Sequence, residues 1–387
     1  MSMCAGGGLG TGSDWRAALA SALGGALKPL HGEAPDLLLM FASAAYAGDY
    51  PEVLGAALED SRTTELVGCS ASAVIAGERE LETEPGIAAL ALTLPPGGLL
   101  NVRYVTADDV HDANLAGMPA EQCRGVVVLA DPFTTDVGTL IETLEHEYAE
   151  APIIGGLATG SPAVRSTWVF HQDVAAQDGA VVIGVGGSLR LRPLVSQGCE
   201  PIGEPWTVTD ADRHIVRGIG GRPAYEVLSE TVNELDPERR EHVNTSLRVG
   251  LAMNEYRDEF KRGDFLIRNL MGADPRSGAI AVAGEPRVGQ TLQFQILDAR
   301  AADQELRQML RPLSDGASTA ALLFACNGRG AGLFGTPDHD ARTVREVLGP
   351  VPLAGLFCNG EIGPVGGTTF LHGYTASLGL LEEVTDA

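Results

Sequence analysis

Gly125-Val-Val-Val-Leu-Ala130, then Val137, Leu140, Ile141, Leu144 and Tyr148, then Pro152-Ile-Ile-Gly-Gly156 read in order as strand, helix and strand. The flanking runs are apolar without alternation, the pattern of strands covered on both faces. The middle set recurs every three or four residues, which places it on one helix face. Together they have the length of a β-α-β unit, about 30 residues. Ala180-Val-Val-Ile-Gly-Val185 adds a further strand.

The same order appears on both sides of this stretch. Upstream come Asp36-Leu-Leu-Leu-Met-Phe41, a helix carrying Val53, Leu54, Ala57 and Leu58, then Glu65-Leu-Val-Gly-Cys-Ser70 and Ile87-Ala-Ala-Leu-Ala-Leu-Thr-Leu94. Downstream come Ala321-Leu-Leu-Phe-Ala-Cys326, a helix with Val344, Val347 and Leu348, Val351-Pro-Leu-Ala-Gly355 and Tyr374-Thr-Ala-Ser-Leu-Gly-Leu-Leu381. Recurrence at this spacing is the mark of an internal repeat. The predicted fold class is α/β, with repeated β-α-β-β units forming layered sheets covered by helices, in two domains. Residues 1–32 read as a lead-in and helix, 33–221 as the first domain and 222–387 as the second, with the boundary near Gly220-Gly-Arg222. The glycine-rich stretch from Gly6 to Gly12 has no strand before it, so it reads as a disordered or capping lead-in to a helix from Asp14.

With 387 residues, 44% of them hydrophobic, the chain can bury a large core. No apolar run reaches the roughly 18–20 residues of a membrane span. The first residues show no basic or apolar leader, so a cytoplasmic location is expected. The net charge of −24 repels phosphate backbones and argues against nucleic acid as a partner. Cys4, Cys69, Cys123, Cys199, Cys326 and Cys358 form no Cys-x-x-Cys pair. That spacing disfavours a zinc site or a disulfide framework.

The densest set of polar groups follows the third copy's strands: Cys326-Asn-Gly-Arg-Gly330, Cys358-Asn-Gly-Glu-Ile-Gly-Pro364 and Phe370-Leu-His-Gly373. Loops at the C-terminal ends of parallel strands share one crevice, the usual ligand position in open α/β sheets. The candidate binding residues are therefore Cys326, Asn327, Arg329, Cys358, Asn359, Glu361 and His372. Arg329 offers a carboxylate two N–H donors and Glu361 accepts from an ammonium group; alternatively the two pair with each other and lock their loops. Cys326, Cys358 and His372 also suggest a metal or heme set without diagnostic spacing, with His171 as a second heme candidate. His372 beside Cys358 is the pair a cysteine nucleophile would use. No catalytic residue, metal or cofactor is assigned.

These strings resemble the FIST family. The first part is similar to its N-terminal domain through Val67-Gly-Cys-Ser70, Pro152-Ile-Ile-Gly-Gly156, Gln177-Asp-Gly-Ala180, Ser196-Gln-Gly-Cys-Glu-Pro-Ile-Gly203 and Trp206-Thr-Val-Thr209. The second resembles its C-terminal domain through Gly278-Ala-Ile-Ala-Val282, Pro352-Leu-Ala-Gly355, Gly360-Glu-Ile-Gly-Pro364 and the Phe370 string. The resemblance implies a small-ligand-binding sensory protein, with an amino acid or small carboxylate as ligand. The family also includes a heme-binding gas-sensing subgroup, which makes heme the first alternative; a cysteine-dependent enzyme is the second. No segment reads as an output domain, so a separate signalling partner or a homo-oligomer is expected to carry the signal. Trp168-Val-Phe-His171 departs from a Phe-Leu-His-Gly pattern.

Overall fold

The computed structural model describes residues 2–160, 166–314 and 318–384. In chain order the first repeat is β1 (Cys4–Thr11), α1 (Trp15–Leu27), β2 (Leu37–Ser43), α2 (Tyr50–Ser61), β3 (Leu66–Ala71), β4 (Ala73–Ala76), β5 (Arg79–Leu81) and β6 (Gly86–Thr93). The second is β7 (Gly98–Val105), β8 (Cys123–Ala130), α3 (Val137–Glu147), β9 (Ile153–Leu157), β10 (Val169–His171), β11 (Val174–Ala176) and β12 (Ala180–Gly187). The third opens with β13 (Leu189–Gln197) and is interrupted by β14 (Cys199–Asp212), β15 (Ile215–Ile219), β16 (Arg222–Pro223), α4 (Ala224–Asn233), α5 (Pro237–Ser246), β17 (Leu247–Ala252), β18 (Phe265–Asp274), β19 (Ala279–Val282) and β20 (Thr291–Leu297). It resumes with α6 (Ala299–Leu310), β21 (Ser318–Cys326), α7 (Ala331–Phe334), α8 (His339–Leu348), β22 (Leu353–Cys358), β23 (Glu361–Val365), β24 (Thr368–His372) and β25 (Thr375–Glu383).

The sheets show that the predicted repeat is real. Their strand orders are β1-β6-β2-β3-β10-β11, β7-β12-β8-β9-β23-β24 and β13-β25-β21-β22-β4-β5. In each, the β-α-β pair is parallel: β2 with β3, β8 with β9, β21 with β22. The fourth element lies antiparallel to the first in every copy. The hairpin that follows each second strand leaves its own sheet. β4–β5 joins the third copy, β10–β11 the first and β23–β24 the second, so the exchange closes on itself.

Each copy also carries a glycine at one equivalent point. Gly68, Gly155 and Gly355 lie opposite Met40, Val128 and Leu323. A Cβ there would meet the carbonyl oxygen of that partner at 1.7, 1.9 and 1.9 Å. Only glycine permits so close a backbone approach.

Phe41, Leu90, Val127, Ile183, Phe324 and Leu356 belong to one buried cluster drawn from all three sheets. The other faces are covered by helices: α1 and α2 on the first sheet, α3 on the second, and α8 with Leu306 and Leu310 of α6 on the third. Continuous apolar strands follow from this two-sided burial.

The Gly6–Gly12 stretch corrects the expected lead-in. All of it but Gly12 lies in β1, antiparallel to β6 from Cys4 opposite Thr93 to Thr11 opposite Gly86. A Cβ on Gly6, Gly8 or Gly10 would sit 2.0, 1.9 or 1.8 Å from the carbonyl oxygens of Ala26, Ala22 and Ala18. Two strand residues advance about 6.6 Å and four helix residues about 6.0 Å, so a glycine row and an alanine row stay in step. A strand that packs through bare backbone carries no hydrophobic period to read.

The chain divides into two compact units, Met1–Val195 with Leu306–Leu371 and Thr375–Ala387, and Ser196–Glu305 with His372–Tyr374. The first holds the three repeats. The second is a barrel in strand order β14-β20-β17-β18-β19-β15, closed by β14 pairing with β15. Val208, Val216, Val249, Ile280 and Phe294 fill it, with Val227 and Leu228 of α4 packed among them.

Candidate functional site

Counting four residues on from each repeat glycine gives Ser72, Thr159 and Asn359. These positions stand just beyond the C-terminal ends of β3, β9 and β22, and hydrogen bonds join them across the repeats. The Ser72 N–H donates to Thr159 Oγ1 at 2.9 Å, and the Thr159 hydroxyl donates to the Phe357 carbonyl at 2.8 Å. The Ser72 hydroxyl donates to Asn327 Oδ1 at 3.1 Å, and Asn327 Nδ2 donates to Asn359 Oδ1 at 3.0 Å. Beneath them Ser70 donates to the Thr159 carbonyl at 2.8 Å and receives the Trp168 N–H at 2.9 Å. Thr159 and Ser70 are buried, while Ser72, Asn327 and Asn359 are exposed. The result is a neutral polar ring, anchored below and open above. Asn359 keeps both amide N–H groups, and Asn327 one of its two.

Asn327 and Asn359 thus meet, as predicted positions at neighbouring strand ends. Cys326 and Cys358 lie side by side in the register of β21 and β22. Burial pushes the Cys358 thiol well up, with the Glu361 charge adding to it. A reactive cysteine needs the opposite. His372 is buried at the end of β24 and groups with the second unit. His171 lies 3.7 Å from Glu65 and stacks on Tyr104.

The imagined pairing of Arg329 with Glu361 is replaced by separate partnerships. Arg329 is 1% exposed; its Nε and Nη2 hold Asp340 at 2.5 and 2.9 Å, and His339 Nδ1 lies 3.0 Å from the same carboxylate. Glu361 accepts from the N–H and hydroxyl of Thr375 at 3.2 and 2.9 Å and from the Gly360 N–H at 3.2 Å. Around Asp340 the exchanged hairpin from the first repeat is pinned to the third. Glu80 Oε1 accepts from the Ala341 N–H and Glu82 Oε1 from the Ala331 N–H, both at 2.9 Å. The Glu80 N–H donates to Asp338 at 2.7 Å. Glu80 at the first turn of α8 and Glu82 at the start of α7 thus take N–H groups that the helices themselves leave open.

Burial, with the Asp340 charge next, pushes Glu80 up to about 8. Burial likewise raises Glu361 to about 7. Burial alone would raise Asp340 too, but the Arg329 guanidinium overrides it and holds the carboxyl at about 2. The signs oppose each other. The two glutamates contribute stability that is complete below pH 4.5 and is lost as pH rises through 7 to 8. Asp340 contributes stability present above pH 3.8 and lost as pH falls towards 2. Urea unfolding is therefore expected to show lower stability at pH 8 than at pH 5. Glu80→Gln keeps the bond to Ala341 and should flatten that slope; an unchanged slope would assign it elsewhere.

Ser72 and Thr159 escape a motif search because single hydroxyl residues are common. The signal that finds them is their shared offset from the repeat glycine.

A three-repeat α/β unit with a barrel inserted in its third repeat defines a two-unit α/β protein with a polar ring at the strand ends. The chain belongs to the FIST family: the FIST N domain matches residues 36–222 and the FIST C domain residues 224–364. An uncharacterized protein of Mycobacterium bovis is 38% identical over 394 residues, covering 97% of this chain and 98% of its own length. An uncharacterized protein of Mycobacterium tuberculosis is 37% identical over 381 residues, covering 97% and 99%. Among solved structures, a cyanuric acid hydrolase from A. caulinodans is 10% identical and aligns over 99% of this chain and 100% of its own, with a TM-score of 0.36. No described helix is long and apolar enough to cross a membrane.

Proposed function

We propose that this FIST protein is a small-ligand-binding sensory protein and that the Ser72–Thr159–Asn327–Asn359 ring is its recognition surface. The observation that carries the reading is the hydrogen-bonded meeting of one equivalent polar residue from each repeat, with amide donors left on the open side. Family membership supports the sensory role, since FIST domains are described as small-ligand sensory domains. The ring itself holds no charged side chain, and Arg329 is occupied by Asp340. Its chemistry suits a neutral ligand that exchanges hydrogen bonds, more than the carboxylate that Arg329 suggested in the sequence. The signal passes to a separate partner or to a second copy of the chain. All six cysteines are free thiols, which fits a reducing, cytoplasmic setting.

Native mass spectrometry of gently purified protein tests the reading. The wild type should carry a retained small molecule, and Asn359→Leu should lose it. Asn359 is exposed, so its replacement should change stability by no more than about 0.5 kcal/mol. A variant that keeps the bound mass places the ligand elsewhere.

A further inference from the structure

Each repeat opens with a strand that ends its sheet: β1 beside β6, β7 beside β12 and β13 beside β25. A sheet edge presents backbone N–H and carbonyl groups that another strand can pair with. Two of these edges are blunted. β1 has glycine at four of its eight positions, which weakens pairing. β13 contains Pro193, which has no N–H to donate, and its Arg190 and Arg192 are tied to Glu382 at 2.8 and 3.2 Å. β7, Gly98-Leu-Leu-Asn-Val-Arg-Tyr-Val105, has no proline and pairs with β12 without a bulge. Its Val and Tyr residues favour strands.

The hydrogen bonds of its neighbours fix which groups of β7 point outward. The Asp131 N–H donates to the Gly179 carbonyl at 2.9 Å, so Gly179, Val181 and Ile183 turn towards β8. Ala180, Val182, Gly184 and Gly186 therefore turn towards β7, opposite Val105, Arg103, Asn101 and Leu99. The Ser188 N–H donates to the Gly97 carbonyl at 2.9 Å and keeps the same alternation. The backbone groups of Leu100, Val102 and Tyr104 are left on the outer side. Local turns take the outward groups at the two ends. The Gly98 N–H donates to the Pro95 carbonyl at 2.9 Å, and the Thr106 carbonyl accepts from the Asp109 N–H at 3.1 Å. The Thr106 N–H donates to Asp109 Oδ2 at 2.9 Å. Between these turns, among the described residues, no hydrogen bond reaches the N–H or carbonyl of Leu100, Val102 or Tyr104.

The strand is held firmly on both faces. Leu100, Val102 and Tyr104 pack against the central cluster, and Leu99 against the cluster under α3. The Tyr104 hydroxyl donates to the Asp178 carbonyl at 2.9 Å, and Arg103 Nη1 donates to the Asn114 carbonyl at 2.9 Å. Gly98 through Tyr104 are nonetheless all half-exposed, so the edge is open although its faces are covered. A preformed edge has little freedom to lose on pairing.

We propose that β7 pairs with β7 of a second copy of this chain, antiparallel about a two-fold axis at Val102, so that two six-stranded sheets become one. The occupant follows from the register. Centring on Val102 is the one alignment that uses all six outward groups, with Leu100 opposite the partner's Tyr104 and Val102 opposite the partner's Val102. The contact is isologous, as a closed dimer requires. The same alignment sets Arg103, the only charged residue of β7, opposite the partner's Asn101, a neutral acceptor. No carboxylate lies on the strand, so the contact brings none of the acidic groups behind the net charge of −24 face to face. The pairing supplies a second copy for the signal to reach, and it uses no residue of the polar ring.

The test is sedimentation of the full-length protein over a dilution series, with amide hydrogen exchange at both ends of the series. Wild type should pass from dimer to monomer on dilution. In the dimer the amides of Leu100, Val102 and Tyr104 should exchange slowly, and in the monomer quickly. Those of Asn101 and Arg103, bonded to β12, should stay protected throughout. Asn101→Arg sets like charges opposite each other twice across the axis and should weaken the dimer about tenfold. Val102→Pro removes an outward N–H, which an edge strand tolerates, and should weaken it about a hundredfold or more. Asn359→Leu should dimerise like wild type, which separates this edge from the ring. A monomer at every concentration overturns the proposal. So does a dimer in which the Leu100, Val102 and Tyr104 amides still exchange quickly, or one that Asn101→Arg leaves unchanged. If Val102→Pro fails to fold, the wild-type exchange pattern and Asn101→Arg decide the question without it.

Discussion

Gly8→Ala is expected to destabilise the protein by about 4 kcal/mol or more, although it adds one methyl group. That Cβ would sit 1.9 Å from the Ala22 carbonyl oxygen and 2.7 Å from the Ala26 nitrogen. Both are backbone atoms of α1, so no rotamer change relieves the clash. Either the helix lifts from β1 or the strand leaves β6, and each choice opens the cluster of Leu19, Leu23, Leu38 and Met40. Losses of this size come from a short list of mechanisms, of which forced overpacking is one. Two glycines on the helix supply controls. Gly25→Ala should also be costly, because its Cβ would meet the Gly8 Cα at 2.9 Å. Gly24→Ala, with nothing within 4 Å, should stabilise by about 0.5–1 kcal/mol through helix propensity. Urea unfolding followed by circular dichroism reads all three. If Gly8→Ala costs less than about 1 kcal/mol, the glycine and alanine rows are not in the contact described.

What could be read from the chain beforehand tracks how each element announces itself. β2, β3, β8, β9, β21 and β22 are continuous apolar runs because helices and a shared core cover both faces, and that pattern survives in one dimension. Their order then implies parallel pairs. The exchange of β4–β5, β10–β11 and β23–β24 left no such trace. A short strand pairs as well in its own sheet as in the next, and partners up to about 280 residues apart, such as β22 and β4, follow from packing alone. β1 leaves no such trace either, because glycine, the residue that lets it touch α1, is the usual signal for a loop. The same division holds at the site. Asn327 and Asn359 follow readable strand ends, whereas Ser72 and Thr159 are marked only by their shared offset from the repeat glycines. Arg329 was the instructive case. Its neighbourhood of glycines suggested an open ligand clamp, but Asp340 lies eleven residues on in a helix, and a motif does not report that the space around it is filled.

Arg329→Leu tests that last point and should cost about 3–5 kcal/mol, because it strands the Asp340 carboxylate in the interior. Asp340 is 1% exposed and Arg329 likewise, so water cannot take the place of the missing partner. Asp340→Leu should cost a similar amount for the mirror reason, an uncompensated guanidinium. The double variant Arg329→Leu/Asp340→Leu removes both charges and should be more stable than either single variant, since a buried pair barely outweighs its own desolvation. The pH dependence supplies a second readout with a definite sign. In the wild type Asp340 titrates near 2, so its share of stability is present above pH 3.8 and lost towards pH 2. Without Arg329, burial dominates and raises the carboxyl above its ordinary value. The variant's stability should then fall as pH rises from 4 towards neutrality, the reverse of the wild-type trend at this residue. Urea midpoints at pH 3, 5 and 7 distinguish the two. Any retained molecule should still be found with Arg329→Leu wherever it folds, because the proposed recognition surface is the ring and does not include Arg329. Loss of that molecule from a folded Arg329→Leu protein would return Arg329 to the recognition surface and displace the ring.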